Sequence, residues 1–584
     1  MRPALLIAPA LPAAPVESGR IGRTIAILLL GAAFTAAPTA AAAPDLDVVI
    51  TNGVIYDGSG GAPYKGWVAF LGDRIAAIGP GAQAPAAKRS LDARGQAIAP
   101  GFVNMLSWAT ESLIADGRAQ SDLRQGITLE VMGEGSSMGP WNPEMKRLAS
   151  ERQDDIKFPV TWTTLGDYLA MLEQKGIAPN VASFVGATTV RVHELGEKDI
   201  DPTPEQLDRM KRLVRAAMNE GAMGVGASLI YAPAAYAETP ELIALATESA
   251  HCGGMYISHM RSEGDRIEKA VDELIEIARV SGGPAEIYHM KMSGQRNWSK
   301  MDTIVGKIEA ARAAGIRITA DMYNYTAGAT GLDAAMPLWV QDGGLEAWIE
   351  RLKDPAIRAR VLAEMRADDV PWENLLKRAG SPEKVLLLGF KNPKLKPLTG
   401  KTLGEVARMR GTSPEDTAID LVIEDGTRVG TAYFLMDEAN VKRQTALPWM
   451  SFASDAGAPS AEGVFLLSND HPRAYGNFVR LLGHYVREEK TTTLADAIRR
   501  LTSLPTSNLG IKDRGMLKPG LFADVVVFDP ATVGDRATYD KPAQYAVGVN
   551  QVFVNGVQVL KDGEPTGQPA GRFVKGPGTG KCPV

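Results

Sequence analysis

The chain has 584 residues, which is enough for one large domain with an accessory domain or for several domains. Its hydrophobic content of 45% and charged content of 22% are typical of a globular protein. The net charge of −5 leaves no basic surplus, so the composition argues against nucleic acid and against an anionic membrane surface as partners.

Residues 1–43 differ in composition from the rest of the chain. Arg20 and Arg23 precede the apolar run 25–30, and small residues follow up to 41–43. This order predicts a secretory signal peptide over residues 1–43, and therefore a periplasmic or secreted protein with no membrane contact after cleavage. A membrane anchor is the alternative, but the apolar run is shorter than the ~20 residues that span a bilayer.

Only two cysteines occur, Cys252 and Cys582. Export would permit a disulfide. However, Cys252 ends a helix-like segment and Cys582 lies in a tail rich in glycine and proline. We therefore expect two unpaired thiols, and two cysteines are too few for a structural zinc cluster.

The two ends of the chain, residues 44–99 and 512–584, have similar patterns. Apolar and polar residues alternate and glycines mark the turns, as in 47–53, 67–74 and 552–560. This alternation is typical of small antiparallel sheets. We predict that both ends form one β-subdomain around the middle of the chain.

The middle of the chain, residues 100–511, alternates strands with helices. Thr203 opens a capping box, for example, and Gly221 ends the helix that follows it. Eight such repeats predict an α/β fold of the (β/α)8 TIM-barrel type, with the active site at the C-terminal ends of the strands. An open doubly wound sheet is the alternative. Residues 331–445 exceed a simple connection, and we interpret them as an insertion that covers the rim. The predicted barrel strands are 101–106, 128–134, 180–186, 222–228, 254–260, 285–290, 317–323 and 449–455.

Two histidines, His259 and His289, each close a short apolar run, and a helix-like segment lies between them. Adjacent parallel strands would present both imidazoles at the same rim, and imidazole suits zinc and similar divalent metals. A third run ends in Asp455. Two histidines and an aspartate at strand ends predict metal-assisted hydrolysis.

Cationic side chains accompany both histidines. Positions i and i+2 face the same side of a strand, so Arg261 shares a side with His259 and Lys291 with His289. Two cations beside a metal suit an anionic small-molecule substrate. For Arg261, an ion pair with Glu263 or another acid is the alternative interpretation.

Two tyrosines, Tyr323 and Tyr325, lie at the end of the seventh predicted strand. Either side chain is placed to donate a hydrogen bond to a developing oxyanion. The alternative is that they are ordinary aromatic residues of the rim.

From about residue 45 onward, the chain resembles the amidohydrolase superfamily, in particular its D-aminoacylase (N-acyl-D-amino-acid deacylase) branch. The resemblance implies a distorted (β/α)8 barrel and a β-sandwich built from both termini. It also implies that Lys291 lies by the metal and that Arg473 binds the substrate carboxylate. The motifs that carry it are Pro100-Gly-Phe-Val103, Gln125-Gly-Ile-Thr128, Ser258-His-Met-Arg-Ser-Glu-Gly264, His289-Met-Lys291, Asp321-Met-Tyr-Asn-Tyr-Thr-Ala-Gly328, Ser454-Asp455, His471-Pro-Arg473 and Gly520-Leu-Phe-Ala-Asp524.

The first barrel strand departs from the family pattern. Pro-Gly-Phe should lead into Asp-x-His-x-His, but Leu106 and Trp108 occupy the two histidine positions. The family's cysteine ligand is also absent, with Gly133 in its apparent position and Glu134 beside it. We therefore expect one divalent metal, zinc, rather than a two-metal centre.

Together these residues predict a metal-dependent hydrolase of linear amides, similar to N-acyl-D-amino-acid deacylases. His259, His289 and Glu134 would hold the metal, and Asp455 would act as the general base. For Glu134 the alternative is a hydrogen bond within its loop, and for Asp455 a helix cap. The alternative functions are a catalytically inactive relative that binds a ligand, and a hydrolase of cyclic amides or dipeptides. The sequence does not predict the oligomeric state.

Overall fold

The structure is a computed structural model, and it describes residues 45–582. The predicted signal peptide, residues 1–43, lies outside the described residues. Within residues 45–582, no helix has the length and apolar character needed to cross a membrane.

The strands are β1 Leu46–Ile55, β2 Tyr64–Leu71, β3 Arg74–Pro80, β4 Ala87–Asp92, β5 Ala97–Pro100, β6 Phe102–Asn104, β7 Ile127–Met132, β8 Asn180–Ser183, β9 Val185–Gly186, β10 Gly224–Ser228, β11 Met255–His259, β12 Ala285–Ile287, β13 Ile318–Met322, β14 Ala327–Gly331, β15 Val385–Leu387, β16 Gly430–Phe434, β17 Met450–Phe452, β18 Val525–Phe528, β19 Val549–Val554, β20 Val557–Lys561 and β21 Glu564–Pro565.

The α-helices are α1 Ser112–Ala115, α2 Gln120–Leu123, α3 Pro143–Glu151, α4 Leu165–Lys175, α5 Ala187–Leu195, α6 Pro204–Glu220, α7 Thr239–His251, α8 Ile267–Ser281, α9 Met301–Ala313, α10 Leu345–Lys353, α11 Pro355–Arg366, α12 Leu375–Ala379, α13 Leu403–Arg410, α14 Pro414–Asp425, α15 Glu438–Thr445, α16 Arg473–Arg480, α17 Leu494–Leu501 and α18 Ser503–Asn508.

The predicted barrel is present. Strands β6, β7 and β8 are parallel neighbours, and β9, β10, β11, β12, β13 and β17 form a second parallel series. Only Phe184 separates β8 from β9, so these two segments together form one strand of the barrel. The cylinder closes where Ser107 bridges Ala456 and the Asp455 amide donates to the Leu106 carbonyl at 2.9 Å. This closure excludes the open doubly wound sheet.

Strand alternation decides which side chains enter the barrel. In β11, Met255 and Ile257 belong to the apolar cluster inside the cylinder, whereas Tyr256 packs in the outer cluster against the helices. His259 has the same parity as Met255 and Ile257, so its side chain points inward at the last position of the strand. The apolar barrel interior therefore ends in an imidazole at the open rim.

Both ends of the chain form one nine-stranded sheet. They join where β5 pairs antiparallel with β18, and Ala99 lies opposite Val526. The sheet folds over an apolar core in which the rings of Phe70 and Phe553 are 5.3 Å apart, edge to face. One β-subdomain is thus built from two segments that are distant in sequence.

The insertion between β13 and β17 contains helices α10 to α15 and a small antiparallel sheet of β14, β16 and β15. Leu388, Arg428 and Leu435 from this insertion line a cavity above the barrel mouth. The insertion therefore supplies part of the cavity wall.

The prediction of two unpaired thiols is wrong, because Cys252 and Cys582 form a disulfide. The C-terminal tail is held to the barrel by backbone hydrogen bonds, such as Val574 N–H to the Val181 carbonyl at 2.8 Å. These bonds bring the Cys582 Cα to 4.9 Å from that of Cys252 at the end of α7. The glycine and proline content of the tail gave no sign of this docking.

Candidate metal centre

Three buried donors meet at the barrel mouth: Glu134, His259 and His289. Their ligand atoms all lie within 4.8 Å of one another. Glu134 Oε1 is 3.0 Å from His259 Nδ1 and 3.0 Å from His289 Nε2. The imidazoles are nearly perpendicular, with ring centroids 4.4 Å apart. The structure thus brings together the three residues predicted as metal ligands.

Glycines on both sides aim Glu134 at the histidines. Gly133 and Gly135 have φ values of +106° and +64°, where residues with a side chain are strained. A Cβ on Gly133 would also lie 2.3 Å from the Phe184 carbonyl oxygen. The turn after β7 therefore places Glu134, the predicted third ligand, beside both imidazoles.

His289 and Asp455 both have left-handed backbones, with φ of 31° and 48°. Such conformations cost about 1–3 kcal/mol each and persist where neighbouring structure enforces them. The His289 amide donates to Asp321 Oδ1 at 2.8 Å, and the Asp455 amide donates to the Leu106 carbonyl. The fold therefore holds both side chains in fixed positions at the mouth.

The donor set fits a divalent metal. Two imidazole nitrogens and one carboxylate oxygen, with an open side toward the cavity, are typical of a catalytic zinc site. Burial opposes ionisation of Glu134, but His289 and His259 outweigh it and hold the pKa of Glu134 well below its usual range. Burial and Lys291 oppose protonation of His289, yet Glu134 and Asp455 raise its pKa to about 10. The ionised Glu134 is thus stabilised by positive charge on the neighbouring imidazoles, and a bound metal ion would supply positive charge at the same place.

A second layer of charge supports the histidines. Lys291 Nζ lies 2.5 Å from Glu263 Oε1 and 2.7 Å from His289 Nδ1, and all three side chains are buried. Glu263 Oε1 is also 3.7 Å from His259 Nε2. Carboxylates behind metal-bound imidazoles commonly fix their orientation. From the sequence, Glu263 was expected only as a possible ion-pair partner of Arg261. Its position four residues after His259 is the signal that could have indicated a contact with that histidine.

Asp455 also lines the cavity and forms an ion pair with Arg473, with Oδ2 2.8 Å from Nη1. Burial raises the pKa of Asp455, and Arg473 and His289 oppose this rise only in part. The Arg473 guanidinium carbon is 4.4 Å from the ring centre of Tyr323. Asp455, Arg473, Tyr323 and Lys291 all line the cavity.

Two predicted substrate contacts are corrected, because Arg261 and Tyr325 are not among the residues that line the cavity. The Arg261 guanidinium pairs with Glu273 at 3.0 Å and donates to two backbone carbonyls. The Tyr325 hydroxyl donates to Asp535 at 3.2 Å. For Arg261 the ion-pair interpretation therefore applies, with Glu273 as the partner, and both side chains support the loops around the site.

The two residues at the missing histidine positions behave differently. Leu106 is fully buried in the apolar barrel interior. Trp108 is 41% exposed, lines the cavity, and donates its indole N–H to Glu134 Oε2 at 3.2 Å and to Asp455 Oδ1 at 3.1 Å. From the sequence, Trp108 was expected only to remove a metal ligand, and this polar contact was missed.

The cavity has a volume of about 920 Å³. The metal-ligand cluster and Asp455 lie at its floor. Its walls include the apolar residues Met138, Ile156, Val192, Ile230 and Leu388 and the charged residues Glu111, Arg152, Arg428 and Asp470.

A closed (β/α)8 barrel with a histidine–carboxylate cluster and a facing aspartate at its mouth defines a metal-dependent hydrolase. The sequence pattern of the Amidohydrolase family matches residues 89–560. The chain belongs to the amidohydrolase family.

Curated relatives and solved structures agree with this assignment. D-aminoacylase of Alcaligenes xylosoxydans xylosoxydans is 33% identical over 532 residues, which cover 90% of this chain and 97% of that protein. The N-acyl-D-glutamate deacylase of the same organism is 31% identical over 530 residues, with 91% and 96% covered. The crystal structure of a D-aminoacylase has a TM-score of 0.75 at 31% identity and covers 91% of this chain and 100% of its own.

Two further solved structures extend the comparison. N-acyl-D-glutamate deacylase from Bordetella bronchiseptica, complexed with zinc and a phosphonate mimic of the tetrahedral intermediate, has a TM-score of 0.75 at 29% identity, covering 91% and 100% of the two chains. L-hydantoinase from Arthrobacter aurescens has a TM-score of 0.52 at 14% identity and covers 91% and 100%. The hydantoinase shares the fold alone.

Proposed function

We propose that the protein is a deacylase of N-acyl-D-amino acids that uses one zinc ion held by Glu134, His259 and His289. The observation that carries the proposal is the cluster of these three buried donors, which faces Asp455 across the floor of one cavity. The substrate class is supported by relatives named D-aminoacylase and N-acyl-D-glutamate deacylase, which match at least 90% of the chain.

A single metal is supported by the residues of the first strand, because neither Leu106 nor Trp108 offers a lone pair to an ion. A solved D-aminoacylase structure is described by one-metal activation and second-metal attenuation. Zinc is supported by the relative complexed with that ion. An ion in such a site makes water more acidic and polarises a carbonyl group.

Asp455 is the proton carrier of the proposed reaction. Its raised pKa makes it a better proton acceptor than an ordinary carboxylate, and Arg473 and Trp108 contact its two oxygens. Asp455 takes the proton of the attacking water and delivers it to the nitrogen that leaves the amide. The acyl group departs as a carboxylate and the amino acid as a free amine.

The cationic groups at the mouth suit an anionic substrate. Arg473 lines the cavity, and its buried Nε has no hydrogen-bond partner among residues 45–582, so the guanidinium keeps unused hydrogen-bonding capacity for a substrate carboxylate. Tyr323 lies beside Arg473 and lines the same cavity, where its hydroxyl can donate to the carbonyl oxygen under attack. The apolar wall formed by residues such as Met138 and Ile230 suits an acyl chain.

We propose a periplasmic or secreted location. The composition of residues 1–43 supports export. The disulfide between Cys252 and Cys582 supports an oxidising compartment, because disulfides rarely persist in the cytosol.

The proposal is tested by metal analysis and substrate assays on the purified protein. We expect about one zinc per chain and hydrolysis of N-acetyl-D-amino acids in preference to their L-enantiomers. A protein without metal that binds N-acyl-D-amino acids but does not cleave them would overturn the proposal in favour of an inactive relative. Preferential cleavage of cyclic imides or dipeptides would overturn the substrate class and retain the hydrolase.

A further inference from the structure

We infer that Trp108 is a positioning residue whose indole N–H links the metal ligand Glu134 to the base Asp455, in place of a second metal ion. This inference rests on the proposed function. The indole nitrogen is 3.2 Å from Glu134 Oε2 and 3.1 Å from Asp455 Oδ1, so one donor is shared by two carboxylates.

The backbone fixes Trp108 relative to Asp455. The Trp108 amide donates to the Ala456 carbonyl at 2.9 Å, and Ser107 forms a parallel bridge with Ala456. The segment after β6 and the segment after β17 are therefore held together where the barrel closes. The closure fixes the backbone at Trp108, and from there the indole nitrogen reaches Glu134 and Asp455.

The other oxygens of the two carboxylates have charged or imidazole partners. Glu134 Oε1 faces His259 and His289, and Asp455 Oδ2 faces Arg473. Glu134 Oε2 and Asp455 Oδ1 remain, and both lie within hydrogen-bond distance of the one indole nitrogen. Two anionic oxygens in that arrangement repel unless a donor or a cation lies between them. The Trp108 N–H provides this donor without adding charge.

The same indole makes a second metal unfavourable at this position. Indole nitrogen donates only and carries no lone pair for a metal. The ring also occupies the space beside Glu134 that a bridging ion would need. Trp108 therefore holds the two carboxylates in fixed positions relative to each other, and a single metal ion completes the cluster.

Two substitutions separate this role from simple filling of space. W108F keeps an aromatic ring and removes the donor. W108Q removes the ring but keeps an N–H donor. The donor also stays at the same reach, because the glutamine side-chain nitrogen is as many bonds from Cβ as the indole nitrogen. A positioning role predicts that W108Q retains function better than W108F, whereas a space-filling role predicts the opposite order.

The experiment measures zinc affinity by competition with a chelator, kcat and KM for an N-acetyl-D-amino acid, and the visible spectrum of the cobalt-substituted protein. For W108F we expect zinc binding and kcat to fall 10–100-fold with KM within about 2-fold, and a shifted cobalt spectrum, as is usual when a partner of a metal ligand is lost. W108Q should recover most of the zinc affinity and kcat.

Trp339 provides a matched control, because its indole N–H also donates to a carboxylate, Glu364 at 3.0 Å, outside the cavity. W339F should leave zinc affinity, kcat and the cobalt spectrum unchanged. If W108F does not fold, W108L and W108Q are compared instead, because W108L lacks the N–H donor and W108Q keeps it.

The outcomes distinguish this inference from the proposed function. Zinc affinity and kcat within about 2-fold of wild type in W108F, or a W108Q variant worse than W108F, would overturn the role of Trp108 and leave the deacylase intact. A wild-type protein with no measurable zinc affinity would overturn both.

Discussion

At the residue scale, Glu134 is a buried carboxylate and Asp455 a largely buried one, and their pKa values shift in opposite directions. The imidazoles of His259 and His289 lower the pKa of Glu134, and burial raises that of Asp455. Such a separation indicates different roles: the permanently ionised group suits a metal ligand and the other suits a proton carrier. The assignment of ligand and base therefore follows from their surroundings.

The role of Asp455 can be tested with D455N. The amide keeps the shape of the side chain but cannot accept a proton, so we expect kcat to fall about 10²–10⁴-fold. Zinc content should stay near one per chain, because the ligand cluster of Glu134, His259 and His289 does not include Asp455. Loss of the metal in D455N would instead identify this residue as a ligand.

The role of His289 can be tested with H289A. Removing one of three donors should lower zinc affinity at least 100-fold and abolish turnover, as measured by elemental analysis and by assay after dialysis. H484A is the matched control, because His484 is partly exposed and pairs with Glu488 outside the cavity. Full metal content in H289A would contradict the proposed centre.

At the element scale, the barrel strands were readable because they are short apolar runs, and β6, β8, β10 and β11 end in a polar residue. The period of two explains why His259 enters the barrel with Met255 and Ile257. The same argument failed for Arg261, because the chain leaves strand geometry after His259, where β11 ends. Residues i and i+2 point to the same side only where the backbone is extended.

Strand β12 carries a buried acid, Glu286, that predicts a pH dependence of stability. Burial raises its pKa to about 7, against roughly 4.3 for an exposed glutamate, although Thr319, Ser451 and Asn508 donate hydrogen bonds to it. The folded state therefore holds this proton more tightly than the unfolded state. The stabilising contribution of Glu286 to the free energy of unfolding is therefore fully present below about pH 4.3, and it is lost as the pH rises to about 7.

We expect E286Q to remove this dependence, because the amide stays neutral at every pH. The free energy of unfolding of E286Q relative to wild type should rise by about 2–3 kcal/mol between pH 5 and pH 8, measured by urea denaturation. E309Q, on the exposed side of α9, should show no comparable change. Parallel pH profiles of E286Q and wild type would contradict the shifted pKa.

At the scale of the whole molecule, the C-terminal tail and the terminal strands tie distant parts of the chain together. The β5–β18 pairing joins the two ends in one sheet, and the disulfide joins the tail to the end of α7. The covalent link spans 330 residues of sequence. Links of this kind stabilise mainly by restricting the unfolded chain.

We expect C252S to lower the free energy of unfolding by about 2–4 kcal/mol, measured by denaturation without reductant. Reduction of the wild-type protein should produce a similar loss, and reductant should have no further effect on C252S. Two reactive thiols in the oxidised wild-type protein, counted by alkylation and mass spectrometry, would contradict the link.

The sequence by itself determined the barrel, the joined termini and the residue types of the centre. It did so because strand periodicity, helix caps and metal-ligand chemistry are local properties that a chain carries in its pattern. The tertiary structure decided that Trp108 bridges two carboxylates, that Arg261 and Tyr325 lie away from the cavity, and that Cys252 meets Cys582. Each of these depends on the direction of a side chain or on the docking of a distant segment, and both are set by barrel closure and packing.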